Sequence, residues 1–221
     1  MKRFNLEVTM QRKEISKSVL KRLPGYLAYL KTLDGEEHTY ISATALANAL
    51  GMGEVQVRKD LAMVSDGGRP KIGYPREMLI DDIEQFLGYD NTTDAVLIGA
   101  GKLGQALLGY NGFDEYGLNI LAAFDTHPSA DHTEEGKPIF STDRLESFCK
   151  EHKVLMGIIT VPAAHAQEVC DRLIACGIKA IWTFAPTHLD VPENILVQYE
   201  NMATSLAVLS MHLKAQIKEK K

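Results

Sequence analysis

A chain of 221 residues, 45% apolar and 24% charged, has the length for one large or two small domains and the balance of a folded globular protein, not a disordered or fibrous one. No apolar run approaches the ~20 residues that span a bilayer. The start Met1-Lys-Arg-Phe is charged and has no apolar signal core, and Cys149, Cys170 and Cys176 form neither a CxxC nor an even framework. A reducing cytoplasm is therefore the expected compartment, with each cysteine a small helix residue. The net charge of −5 hides an asymmetry, because residues 1–80 hold 13 Lys and Arg against 9 Asp and Glu (+4), and residues 81–221 hold 11 against 20 (−9). A basic N-terminal third points to a nucleic-acid partner for that half.

Residues 1–14 show no periodicity and are expected to fray. From Ser16 the pattern turns helical, with Val19, Leu20, Leu23, Leu27 and Leu30 on one stripe. Pro24 either kinks that helix or sits in its first turn, and Asp34-Gly35 closes it. Ser42 is a good N-cap for the alanine-rich run that follows, which Gly51 stops. After Gly51-Met-Gly53 another helix reads Glu54 to Val64. Helix, short glycine turn, helix is the arrangement whose second helix enters a major groove. Val57, Leu61 and Val64 make its buried stripe, leaving Gln56 and Lys59 outward with Arg58 beside them. These are side-chain types that read base edges or hold phosphates. Residues 65–76, glycine-rich with three cations, suit a β-hairpin, which makes the domain a winged helix with Arg69 and Lys71 at the wing tip. A further helical run over 78–87 ends at Gly88, and Tyr89–Asp94 is the linker.

The second domain alternates strand and helix, as a parallel, helix-covered sheet requires. Strands are expected at about 95–98, 118–124, 138–140, 154–160, 179–184 and 195–198, and helices at about 102–110, 143–151 and 163–176. The apolar run Ala95–Ile98 enters Gly99-Ala100-Gly101-Lys102-Leu103-Gly104, the phosphate-binding turn of a dinucleotide fold. Gly99 permits the tight turn, Gly101 lets backbone approach a pyrophosphate, and Gly104 lets helix and strand pack closely. The amides that open the helix then face the phosphates. Asp125 ends the next strand, 21 residues after Gly104, where a carboxylate accepts hydrogen bonds from the adenosine ribose hydroxyls. Thr126 and His127 bring no arginine for a 2′-phosphate, so NAD is expected over NADP. The loop 126–136, with His127, Asp131, His132 and two glutamates, lacks regular ligand spacing and is read as solvated, not as a metal site. Met202, Leu206, Leu209, Leu213 and Ile217 form the stripe of a terminal helix ending in Lys-Glu-Lys-Lys. Either its own sheet or a second subunit covers it.

A winged helix, a dinucleotide fold and a terminal helix in this order resemble the Rex family of bacterial redox-sensing transcriptional repressors. The resemblance runs through Arg22-Leu-Pro-x-Tyr26, Ile41-Ser42, Val57-Arg-Lys-Asp-Leu61 and Gly73-Tyr74 in the first part. It continues through Gly99 to Leu108 with Tyr110 and Gly112-Phe113, then Phe124-Asp125, Val161-Pro-Ala-x-x-Ala-Gln167, Gly177-Ile-Lys179 and Phe184-Ala-Pro186. It implies a homodimer with a domain-swapped C-terminal helix, bound to an inverted-repeat operator on double-stranded DNA and sensing NAD(H). NAD permits operator binding in that family and NADH releases the protein. The implied cofactor residues are Gly99 to Gly104 and Asp125, with Tyr110 near the nicotinamide and Val161, Pro162, Phe184 and Pro186 along the pocket. The implied DNA-facing residues are Ser42, Gln56, Arg58, Lys59, Arg69 and Lys71, in a winged-helix domain over residues 1–88. Residues 95–200 become the Rossmann-like NAD(H)-binding domain and 201–221 the dimerisation helix. The chain departs from the family at Ala28 and Asn201, where members carry an arginine and an aspartate that pair and take part in the redox response. Thr183 and Val64-Ser65 also replace usual residues.

No catalytic residue is expected. The competing reading is an NAD-dependent dehydrogenase, for which His165, just after Val161-Pro162, is the best general acid or base. It leaves no room for a substrate domain. A plain CoA- or nucleotide-binding module leaves the basic N-terminal domain without a purpose.

Overall fold

The computed structural model describes residues 16–219; the fraying expected at residues 1–14 and the last two lysines lie outside the described residues. The chain divides into two compact units, Met1–Asp90 and Asn91–Lys221.

The first unit starts with α1 (Lys17–Thr32), capped by the Ser16 hydroxyl, which accepts from the Val19 amide. Pro24 lies inside this helix, not in its first turn. Strand β1 (Tyr40–Ile41) leads into α2 (Ala43–Leu50), capped by Ser42 Oγ accepting from the Ala45 amide at 3.0 Å. Gly51, in the left-handed region at φ 62°, stops α2, as glycine does without steric penalty. Three residues later α3 (Glu54–Val64) begins, and β2 (Tyr74–Pro75) leads into α4 (Arg76–Leu87). Leu23, Tyr26, Leu27, Leu30, Leu46, Val57, Leu61, Leu79 and Ile83 form one buried cluster joining all four helices. Each such side chain contributes ~1.5–3 kcal/mol through burial, so α3 is held by its Val57–Leu61 face as the spacing required.

The wing is shorter than a hairpin of residues 65–76. Tyr74–Pro75 pairs antiparallel with Tyr40–Ile41, and only Arg69 and Gly73 bridge within the loop, through reciprocal bonds of 2.9 Å. Pro70 and Pro75 lack the amides a longer ladder needs. Lys71 reverses the chain at φ 65°, so the tip residues stand out as expected.

The second unit holds a six-stranded, wholly parallel sheet ordered β5-β4-β3-β6-β7-β8. The strands are β3 (Thr93–Ile98), β4 (Leu118–Asp125), β5 (Ile139–Ser141), β6 (Met156–Ile159), β7 (Ala180–Thr183) and β8 (Leu196–Tyr199). Helices α5 (Lys102–Leu108), α6 (Leu145–His152) and α7 (Ala163–Ala175) cross between them. The chain winds outward from β3 in both directions, which puts a topological switch point between β3 and β6. Ligands bind at the carboxyl ends of strands beside such a point. Val96 and Ile98 pack into one core cluster, Ala95 and Leu97 into another, so β3 is buried on both faces.

The last helix, α8 (Met202–Glu219), opens with the Asn201 side chain accepting from the Thr204 amide at 3.1 Å. Every side chain from Met202 to Ile217 is exposed; Leu206 and Leu209 keep 63% and 65% of their surface in contact with solvent. The sheet of its own chain therefore does not cover this stripe.

Candidate functional site

At the end of β3 the backbone turns at Gly99, whose φ of 103° belongs to the region glycine tolerates. A Cβ on Gly104 would run into the Gly99 carbonyl oxygen, so α5 packs this closely on the turn only because residue 104 has no side chain. Beside Gly101 there is open space within 4 Å of where a Cβ would stand. The Ala100 amide donates to Asp125 Oδ2 at 2.8 Å, and the His127 amide to Oδ1 at 2.9 Å. Asp125 is thereby aimed at the turn by backbone on both sides, and both oxygens retain lone pairs for a further donor. Thr160 ties the neighbouring strand to the same place, its hydroxyl lying 3.0 Å from the Ile98 carbonyl oxygen and 2.8 Å from that of Gly99.

These groups border a cavity of about 340 Å³ lined by Gly99, Gly101, Asp125, Val161 and Pro162, and on its far wall by His165, Glu168 and Arg172 of α7. Its volume is near the lower end of the ~300–1,000 Å³ of small-ligand pockets, which suits one nucleoside of a dinucleotide. The three α7 residues recur at spacings of three and four, on one helix face. That periodicity is visible in the sequence, but nothing there says which face the pocket takes. Arg172 donates to the Thr142 carbonyl at 2.9 Å, so it closes the wall as well as lining it.

The remaining residues expected to hold a cofactor lie elsewhere. Lys102 and Leu103 are exposed on the first turn of α5, and Ala100 is buried behind it. Tyr110, 56% exposed, meets Phe113 edge-on at 4.9 Å; Phe113 meets Trp182 at 5.7 Å, and Trp182 meets Phe184 at 4.8 Å. This aromatic row joins Tyr110 to Phe184, and sequence reasoning had not included Phe113 and Trp182 as its links. Pro186 borders a second cavity of about 330 Å³ with His188, Tyr199 and Asn201. The residues expected along one pocket thus fall into two groups, one at β4 and β6, the other toward β7 and β8. Burial pushes the Cys149 thiol up to about 12 and that of Cys170 up to about 11, which leaves neither a ready thiolate.

In the first unit, Gln56, Arg58 and Lys59 are all exposed on α3. Val55, 66% exposed on the same helix, had been passed over, though a methyl-bearing side chain there can meet a thymine methyl. Asp60, only 3% exposed, is the buried charge beneath this face. It accepts from Arg22 Nε at 2.7 Å, from Arg22 Nη2 at 2.9 Å and from the Tyr26 hydroxyl at 2.8 Å. The bond to Asp60 raises the Arg22 pKa, and burial, reinforced by Asp60, pushes the Tyr26 hydroxyl up to about 12. The Gln56 amide group faces Arg22, 2.9 Å from Nη1, and only with its oxygen on that side do the guanidinium donors meet an acceptor. Arg58 pairs with Glu54 one turn back, an exposed contact that gives way readily. Arg69 lies 6.0 Å over the Tyr40 ring, and Ser42 is occupied as a helix cap.

Comparison with known proteins bears on both units. Residues 14–62 match the family described as "Putative DNA-binding protein N-terminus", and residues 90–187 match the CoA binding domain family. A redox-sensing transcriptional repressor Rex of Treponema denticola is 43% identical over 197 residues, covering 87% of this chain and 92% of that protein. Its counterpart in Carboxydothermus hydrogenoformans is 38% identical, covering 91% and 97%. A crystal structure of RSP in complex with β-NAD⁺ and operator DNA superposes with a TM-score of 0.84 at 33% identity, covering 93% of this chain and 95% of that one. RSP with β-NADH gives 0.80 at 32%, covering 95% and 100%.

Proposed function

Since the chain belongs to the Rex family of redox-sensing transcriptional repressors, we propose that it represses transcription by binding operator DNA under the control of NAD(H). Residues 1–88 act as the DNA-binding domain, 89–94 as the linker, 95–200 as the dinucleotide domain and 201–221 as the helix that pairs two subunits. Ser42, Gln56, Arg58, Lys59, Arg69 and Lys71 face DNA. An operator-binding protein works where the chromosome is, in the cytoplasm; among the described residues no helix is long and apolar enough to cross a membrane.

The observation that carries the cofactor half is the bond from the Ala100 amide to Asp125 at the rim of an open cavity. It holds the carboxylate that would bind the ribose beside the phosphate turn. Gly99 to Gly104 hold the pyrophosphate with the α5 amides. Val161 and Pro162 line the nucleoside cavity, and Tyr110, Phe184 and Pro186 serve the nicotinamide end. When bound, the dinucleotide supplies a redox-dependent charge and ring shape that the protein reads, and it is not turned over. The relatives are repressors, and His165 shares its cavity with Asp125. With Asp125 as the ribose ligand, His165 belongs to the adenosine end and not to the ring that carries the hydride, which argues against it as a dehydrogenase base.

Gel shifts on A/T-rich inverted repeats, with a hydride-transfer assay alongside, test the proposal. Retarded DNA without turnover is expected, and turnover without DNA binding overturns it. In calorimetry, NAD(H) binds at least about tenfold tighter than NADP(H), because a 2′-phosphate would meet the Asp125 carboxylate. Asp125→Ala narrows that gap, and equal affinities in the unaltered protein refute the assignment.

The missing ion pair has its own expected outcome. Ala28 is exposed, and Asn201 caps α8 as well as an aspartate does. Fold and pairing therefore survive, while NADH and NAD differ less as effectors, since a ligand shifts an equilibrium only through its differential affinity. A loss of about tenfold in discrimination corresponds to a coupling of ~1.4 kcal/mol. In operator titrations, Ala28→Arg with Asn201→Asp sharpens the response more than either change alone. A response in the unaltered protein as sharp as in the double variant rejects the idea.

A further inference from the structure

We propose that Gln56 reads one base of each half-site through its amide N–H groups alone, in an orientation imposed by Arg22. The inference rests on the reading of α3 as the DNA-facing helix. The three guanidinium nitrogens of Arg22 are divided between two partners. Nε and Nη2 grip Asp60 at 2.7 and 2.9 Å, and the Gln56 amide sits 2.9 Å from Nη1 and 3.3 Å from Nε, where donor and acceptor match only when its oxygen faces the guanidinium. The opposite amide orientation would set NH2 donors against guanidinium donors, with no acceptor between them. Asp60 cannot move away, since it is buried and also accepts from Tyr26 at 2.8 Å. A row of hydrogen bonds therefore runs from the core through Asp60 and Arg22 to the exposed Gln56.

An unconstrained glutamine recognises adenine with both ends of its amide, accepting from N6 and donating to N7. With its oxygen turned inward to Arg22, Gln56 presents its two N–H donors to the groove. It then favours bases that offer an acceptor in the major groove: guanine, with O6 and N7, or thymine, with O4. Arg22 does not itself read the base; it is a positioning residue. The arrangement also limits rotamer loss on binding, because the amide is oriented beforehand.

The test is selection of half-site sequences from randomised duplexes by the full-length protein with NAD⁺, followed by titration of the enriched sites. One position per half-site carries guanine or thymine, and Gln56→Ala relaxes that preference about tenfold. Gln56→Glu still accepts from Arg22 but presents an acceptor outward, so the same position moves to cytosine or adenine, whose amino groups donate. Arg22→Lys keeps a cation for Asp60 but has one nitrogen in place of three, so none is left for Gln56 and adenine is let in at that position; its melting temperature reports whether the fold is intact. Lys59→Ala serves as the contrast, weakening all sequences alike and lowering the salt slope by about one unit. If Gln56→Ala relaxes an adenine position, or an enriched operator is read identically by all Gln56 variants, this inference is overturned while operator binding stands. If the unaltered protein enriches no sequence, operator binding itself fails and takes the inference with it.

Discussion

Asp60→Ala abolishes operator binding and leaves dinucleotide binding untouched. The substitution removes the acceptor for three hydrogen bonds at once and leaves the Arg22 charge and the Tyr26 hydroxyl without it. Breaking a buried pair by removing one partner costs ~3–5 kcal/mol, because the other charge stays behind unpaired. The lower end applies here, since the Arg22 side chain keeps 20% of its surface exposed against 5% for Asp60. A small domain has only ~5–15 kcal/mol in total, and for a unit of this size each kcal/mol moves the midpoint by ~4–8 °C. The N-terminal unit should melt about 15 °C earlier. Calorimetric scanning resolves this if the two units melt separately, and NAD titration shows the sheet domain intact. An unshifted first transition would mean that Asp60 carries no part of the fold. Asp60→Asn, which can still accept from Arg22, should fall between the two.

Gly104→Ala should weaken NAD(H) binding by about 100-fold or more. The added methyl has nowhere to go, because the atom it meets is the backbone oxygen of Gly99, and that turn is fixed by strand β3 below and by the Thr160 hydroxyl beside it. Either α5 lifts from the sheet or the turn is displaced, and in both cases the amides that open the helix leave the phosphates. Misplacement of such preorganised donors loses their whole contribution, since a charge-assisted hydrogen bond is worth ~1.5–3 kcal/mol. Gly101→Ala makes a useful partner to this measurement. The space beside Gly101 is open in the protein itself, so the apoprotein tolerates the methyl and only ligand affinity falls. Affinity unchanged in Gly104→Ala would remove the turn from the binding site.

Much of this architecture was legible in residue order. Alternation of short apolar runs with amphipathic stretches located all six strands to within two or three residues, since a doubly covered parallel strand must be apolar on both faces. Ser42 and Gly51 marked the ends of α2 because capping is local chemistry. What escaped was interaction between distant segments. Asp60 sits beside the buried stripe of α3, a poor place for a carboxylate, yet its partner Arg22 is 38 residues away and no local pattern links them. The wing was read as a full hairpin because glycine and cations favour one; the pairing of Tyr74–Pro75 with Tyr40–Ile41 is a tertiary choice. Glu168 and Arg172, which share the cavity's α7 wall with His165, escaped for the same reason. Helical spacing groups His165, Glu168 and Arg172, but only the sheet decides where that group points.

The exposed stripe of α8 has a genetic consequence. If two copies pair through it, a subunit with a disabled head still competes for partners, since the stripe lies more than a hundred residues from Asp60 and does not depend on it. Mixed dimers then present one working recognition helix to a two-fold site, and losing half the contacts costs far more than half the affinity, because affinity is exponential in free energy. A head-defective allele expressed in excess would therefore be dominant over the intact one, and the derepression would grow with its dosage.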